Sequence, residues 1–126
     1  MSARLRAIVE GLALRPGDAV LEVGCGHGVA AGMICERLED GRLTAIERSA
    51  KMIAAARARN AAFVDAGKAE FLLGAFETAD FGARRFDVIL AVRVGLFHRE
   101  PVRARALAES WLKPGGRLVA VYDTPA

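Results

Sequence analysis

Glu22 stands two places before the first of three alternating glycines, Gly24, Gly26 and Gly28, in the stretch VLEVGCGHG. Glycine lacks a Cβ and tolerates positive φ, so a segment this bare can bend sharply and let a ligand press against its backbone. The helix pattern that begins after Gly28 adds unpaired N–H groups near the same bend. Glu47 closes the next apolar run, where a carboxylate can accept both hydrogen bonds from a ribose diol. An acid at that place repels a 2′-phosphate, so an adenosine-type ligand is favoured. The spacing is G-x-G-x-G, with Val29 where a dinucleotide fingerprint requires its last glycine, which weighs against a nicotinamide cofactor. Each feature alone has a plain structural explanation, packing for the turn and helix entry for the acid. Both together, one strand apart, point to a ligand.

The elements that must position these residues follow from periodicity. Leu5, Ile8, Val9 and Leu12 recur at helical spacing after Ser2, a capping residue, and predict a helix over 2–14 that stops near Pro16 and Gly17. AVLEVG is a short apolar run fit for a buried strand. Val29, Met33, Ile34 and Leu38 then mark a helix, and RLTAIE a second strand. A longer helix, capped by Ser49, runs to Gly67. AEFLL gives a third strand, and FDVILAV a fourth. GAFETADFGARR between them reads as a loop with one helical turn. After a helix carrying Val102, Ala106, Leu107, Ser110 and Trp111, KPGG leads into a fifth strand, RLVAVYD. Phe71, Phe86, Phe97 and Trp111 fall on the apolar stripes and are expected in the core.

Strands that are apolar on both faces and alternate with helices imply a parallel sheet covered on both sides. Right-handed crossovers make this a doubly wound α/β domain, and ligands in such sheets lie beyond the carboxyl ends of the strands. The alternating glycines stand at that place.

The 126 residues fit one domain, 1–126, and 53% hydrophobic content can fill its core. Net charge is +3, but the basic residues, three Lys among 18, are scattered over predicted helices without interleaved aromatics. No nucleic-acid partner is expected. Two cysteines are too few for a disulfide framework, and no His/Cys cluster has metal-ligand spacing. Neither a signal peptide nor a membrane span is predicted, so a cytoplasmic setting is the expectation.

VLEVGCGHG, LTAIERSAKMIAAARA, FDVILA and LKPGGRLV resemble, in order and spacing, the successive motifs of class I S-adenosylmethionine-dependent methyltransferases, over roughly residues 16–123. The resemblance implies a Rossmann-like sheet of strand order 3-2-1-4-5 and S-adenosylmethionine as cofactor. It implies that Glu22 and the turn through Gly24, Cys25, Gly26 and Gly28 hold the methionine part. Glu47 would take the ribose hydroxyls, with Arg48 and Met52 beside the adenosine and Ala91 at the end of the fourth strand. Three departures follow. Where the family has an acid after strand three, this chain has Ala75, leaving adenine to Phe76, its backbone or Glu77. Arg93 replaces the small or amide residue common after strand four, and the Asn/Asp-Pro-Pro-aromatic signature is absent. The usual antiparallel hairpin after the fifth strand is lacking, so an exposed fifth-strand edge is expected to pair with a second copy or be shielded by TPA, residues 124–126, and a neighbouring chain.

For the acceptor, Arg93 could bind an acidic group, and His98 is the neutral-pH base nearest the fourth strand. The expected activity is methyl transfer to a small molecule. The other readings are a non-catalytic S-adenosylmethionine-binding subunit and, least favoured, a nicotinamide-dependent enzyme.

Overall fold

The computed structural model of the chain describes residues 2–122. In chain order the elements are α1 (Ser2–Gly11), β1 (Ala19–Val23), α2 (Val29–Cys35), β2 (Arg42–Glu47), α3 (Ala50–Arg59), α4 (Ala61–Asp65), β3 (Ala69–Leu73), β4 (Phe86–Val92), α5 (Gly95–Arg99), α6 (Pro101–Glu109) and β5 (Leu112–Val121). A single 3₁₀ turn, Phe76–Thr78, interrupts the loop after β3. The five strands are all parallel and lie in the order β3-β2-β1-β4-β5. This is the expected doubly wound sheet, with the order reversing between β1 and β4.

Alternation along β1 divides the core. Val20 packs with Leu43, Ala45, Val88 and Leu90 on the face covered by Val9 of α1, Leu12 just after it, Ile34 of α2 and Ile53 of α3. Leu21 and Val23 pack on the other face with Ile46, Ile89, Phe86 and the small residues Ala104 and Ala108 of α6. Burying a Leu or Ile side chain is worth about 1.5–3 kcal/mol, so these two layers fix which way every strand residue points. Glu22 aligns with Ala45 and Leu90 in the ladder and therefore faces the α2–α3 layer.

Phe71 and Phe86 are buried as expected, while Phe97 and Trp111 are half-buried against the second layer. Several boundaries differ from the periodicity reading: α2 ends at Cys35, short of Leu38, and α6 at Glu109, short of Ser110 and Trp111. The first helix ends at Gly11; Leu12 still reaches the core, and Ala13 turns the chain with φ 48°. The side chain of Ser2, read as its cap, lies outside the described residues. The helix expected over 50–67 breaks at Asn60, whose backbone leaves the helical region. The segment after β4 forms a one-turn helix, α5. β5 begins at Leu112, ahead of RLVAVYD, because Leu112 already pairs with Phe86 before a bulge shifts the register to Val88–Arg117.

β5 has no neighbour on its outer side among the described residues. Residues 124–126, expected to shield it, lie outside them. No described helix is long and apolar enough to cross a membrane, and no described cluster of His, Cys, Asp or Glu could hold a metal.

Candidate functional site

Beyond the carboxyl ends of β1, β2 and β4 lies a cavity of about 240 Å³. Val23 and Gly24 form its floor; Ile46, Glu47, Arg48, Gly74, Phe76 and Glu77 line one side, and Arg93 to Leu96 with Arg99 the other.

The turn that follows β1 is tied to β2. Gly24 and Cys25 both donate their N–H to the Ile46 carbonyl, at 2.8 and 3.3 Å. The Gly26 N–H donates to Glu47 Oε1 at 3.0 Å, and the Ser49 N–H donates to Oε2 at 2.9 Å. Each carboxylate oxygen can accept more than one hydrogen bond, so Glu47 is locked in place with acceptor capacity left over. Gly24, Gly26 and Gly28 all have positive φ, 72°, 56° and 87°. At Gly28 space is short as well: a Cβ would lie 2.6 Å from Asn60 Nδ2 and 3.0 Å from the Ala56 Cα.

Asn60 carries no sequence signal of a ligand site. It is buried, and its amide donates to the carbonyls of Gly28 and Ala56, both at 3.0 Å. It thus braces the glycine turn from beneath. An asparagine inside a helical stripe, RARNAAFV, is a poor helix former and the one local hint available.

Glu22 is the anomaly of the site. It is fully packed beneath the turn, and its Oε1 has no hydrogen-bond partner. Burial, and then the nearby charge of Glu47, push its carboxyl up to about 8. Two acids are therefore brought close enough to raise one another's cost, and one is left incompletely satisfied. Cys25 is buried beside them in the α2–α3 layer, and the same burial and charges push its thiol up to about 12, so it stays neutral. Its place here is that of a small apolar filler.

The remaining sequence-selected residues are distributed as follows. Arg48, Phe76 and Arg93 line the cavity, and Phe76 is anchored by stacking on Phe97 at 5.9 Å between centroids. Arg93 sits at φ 54°, its backbone N–H donating to Val121. Ala75 lies between the lining residues Gly74 and Phe76 without lining it itself. Met52 is exposed on the rim of α3, its N–H held by the Ser49 hydroxyl at 3.2 Å. Ala91 is packed into the core below the cavity floor. His98 lies outside the cavity lining, exposed on α5 and stacked on Tyr122 at 4.2 Å. Arg99, which does line the cavity, was not singled out by the sequence reading.

A family model described as "Methyltransferase domain" matches residues 20–116, from β1 to the start of β5. The chain belongs to the class I S-adenosylmethionine-dependent methyltransferase family. It is 39% identical over 118 residues to a protein-L-isoaspartate O-methyltransferase of Methylorubrum extorquens, covering 94% of this chain and 47% of that protein. It is 32% identical over 124 residues to the ubiquinone/menaquinone biosynthesis C-methyltransferase UbiE of Rubrivivax gelatinosus, covering 96% of this chain and 46% of that protein. The chain thus spans about half the length of these two relatives. Among solved structures it resembles the [4+2]-cyclase SpnF, with TM-score 0.78 and 27% identity over 93% of this chain and 43% of that one. By name these three methylate a protein, take part in quinone biosynthesis by C-methylation, and close a ring. Family membership therefore leaves the acceptor of this methyltransferase-family chain open.

Proposed function

We propose that this chain binds S-adenosylmethionine across the β1 and β2 ends and transfers its methyl group to a small acceptor that enters from the β4–α5 side. The observation that carries the reading is Glu22 with its unpartnered buried oxygen, set against Glu47. A buried carboxylate without a partner is costly, and a second acid beside it makes it costlier. A cationic ligand pressed against the glycine turn relieves both, and an adenosyl sulfonium is such a ligand. The donor set fits: Glu47 keeps free lone pairs for a ribose diol, Gly24 offers a bare backbone, and Gly74, Phe76 and Glu77 flank the place for the base.

When bound, the cofactor supplies a methyl group already activated on sulfur. What the chain contributes is then mainly positioning, which can account for a large share of the acceleration in such displacements. Glu47 and the turn fix one reactant; Val94, packed so closely on Gly24 that a Cβ there would lie 2.8 Å from its Cγ2, holds the acceptor side against the same turn. The reading asks no proton transfer of His98, whose ring is engaged with Tyr122.

A second reading, a domain that holds the cofactor without methylating, is favoured by Ala75, which offers no carboxylate near the base, and by the likeness to a cyclase. The two separate in one experiment. Calorimetry should show binding of S-adenosylmethionine and S-adenosylhomocysteine, and a panel of small acids, phenols, thiols and amines should include one that releases S-adenosylhomocysteine from the donor. Binding without turnover on any acceptor would favour the second reading, and no binding would remove both.

A further inference from the structure

The cavity sorts its charges by side. On the β2–β3 side of β1 stand Glu47 and Glu77 with Arg48, whereas the β4 side is lined, among the described residues, by Arg93 and Arg99 and by no carboxylate. Arg99 ends α5, and its guanidinium folds back one turn to lie across Gly95. A Cβ at Gly95 would collide with Nη1 and stand 3.1 Å from Cζ. Gly95 is not among the glycines with positive φ, so the backbone does not demand glycine there. The missing side chain serves as a seat for the guanidinium. Among the described residues Arg99 has no hydrogen-bond or ion-pair partner.

We propose that Arg99, seated on Gly95, receives a carboxylate carried by the methyl acceptor, so that the acceptors of this chain are small carboxylic acids bound as anions. The inference rests on the methyl-donor reading above. A planar fork of N–H donors matches a carboxylate in two parallel hydrogen bonds. Charge favours the acceptor as the source of that carboxylate. A cationic donor held at Glu47 lies across the cavity from Arg99, and an anion between the two is attracted by both.

The test uses the whole chain and three variants, Arg99→Gln, Arg99→Lys and Gly95→Ala, each checked for an unchanged melting temperature. S-adenosylhomocysteine and 5′-methylthioadenosine, which lacks the amino-acid end, are titrated first by calorimetry. The protein saturated with S-adenosylhomocysteine is then titrated with acetate, benzoate and 4-hydroxyphenylacetate, each against its primary amide. The expected result is at least a tenfold preference of the wild type for one acid over its amide. Arg99→Gln and Gly95→Ala should erase that preference, and Arg99→Lys should restore part of it, with S-adenosylhomocysteine affinity changed less than twofold throughout. Acids and amides bound alike by the wild type, or a preference that survives Arg99→Gln, overturn the proposal. So does a tenfold loss of S-adenosylhomocysteine with 5′-methylthioadenosine unchanged, which assigns the guanidinium to the donor's own carboxylate. A wild type that binds no S-adenosylhomocysteine removes the methyl-donor reading itself and this inference with it, a result distinct from the other three.

Discussion

The two ends of the sheet treat their acids in opposite ways. At the amino-terminal end Asp18 accepts the Arg15 N–H at 2.8 Å, and Asp87 accepts both the Ala19 N–H at 2.7 Å and the Lys113 ammonium at 3.1 Å. Burial pushes the Asp87 carboxyl up, but those two hydrogen bonds and the lysine charge outweigh it and hold it below its ordinary range. At the carboxyl-terminal end Glu22 has an oxygen with no partner, its carboxyl is pushed up to about 8, and three glycines and Arg93 adopt positive φ. One end is completed by the chain itself; the other carries cost that nothing within the described residues offsets. Strain and unsatisfied polarity of this kind gather where a ligand completes the structure.

Glu22→Gln should break this contrast most strongly. Its folded carboxyl titrates near 8 against an ordinary value of 4.5, so the native state holds a proton that the unfolded chain releases across that window. The stability linked to this proton is full below about pH 4.5 and is lost as pH rises through 8, by on the order of 5 kcal/mol at most. Urea unfolding from pH 5 to 9 should show wild-type stability falling with pH, and Glu22→Gln should flatten the curve and be the more stable protein at pH 9. Gly28→Ala comes next, with a loss of about 2–4 kcal/mol from a strained φ of 87° and overpacking against Asn60. Gly26→Ala, with φ 56° and nothing within 4 Å of its Cβ, should cost only about 1–2 kcal/mol in the same unfolding assay. Glu47→Ala should weaken S-adenosylhomocysteine binding by about 1.5–3 kcal/mol by calorimetry; an unchanged affinity would remove the ribose assignment. Smallest is Asp87→Asn at the opposite end, about 0.5–1 kcal/mol for a partly exposed pair. Its carboxyl is depressed in the fold, so its contribution is present above the ordinary value and lost as pH falls, and the two proteins should converge in acid.

The parallel, doubly wound sheet and the place of the crevice were legible because β1 to β4 are near-continuous apolar runs that only a parallel, doubly covered sheet can bury, whereas the strand order followed from the family resemblance alone. Glu47 was legible for the same reason, as the acid on which an apolar run stops. Asn60 was not, because its partners Gly28 and Ala56 are joined to it by folding rather than by a local pattern. α5 has five residues, too few for a helical stripe to be seen, and so the seating of Arg99 on Gly95 stayed hidden although the two stand at helical spacing. The same short helix turned His98 outward to Tyr122, which no spacing argument could anticipate.

The most direct test of the account is calorimetry of S-adenosylmethionine with the wild type and Glu22→Gln between pH 6 and 8. A carboxyl protonated in the free protein and ionised against a cation must release its proton on binding. Wild-type affinity should therefore rise with pH relative to Glu22→Gln, and the binding heat should vary with the ionisation enthalpy of the buffer in the wild type alone. Identical pH dependence in the two proteins, or no binding to the wild type at any pH, would contradict the claim that Glu22 waits for a cationic donor.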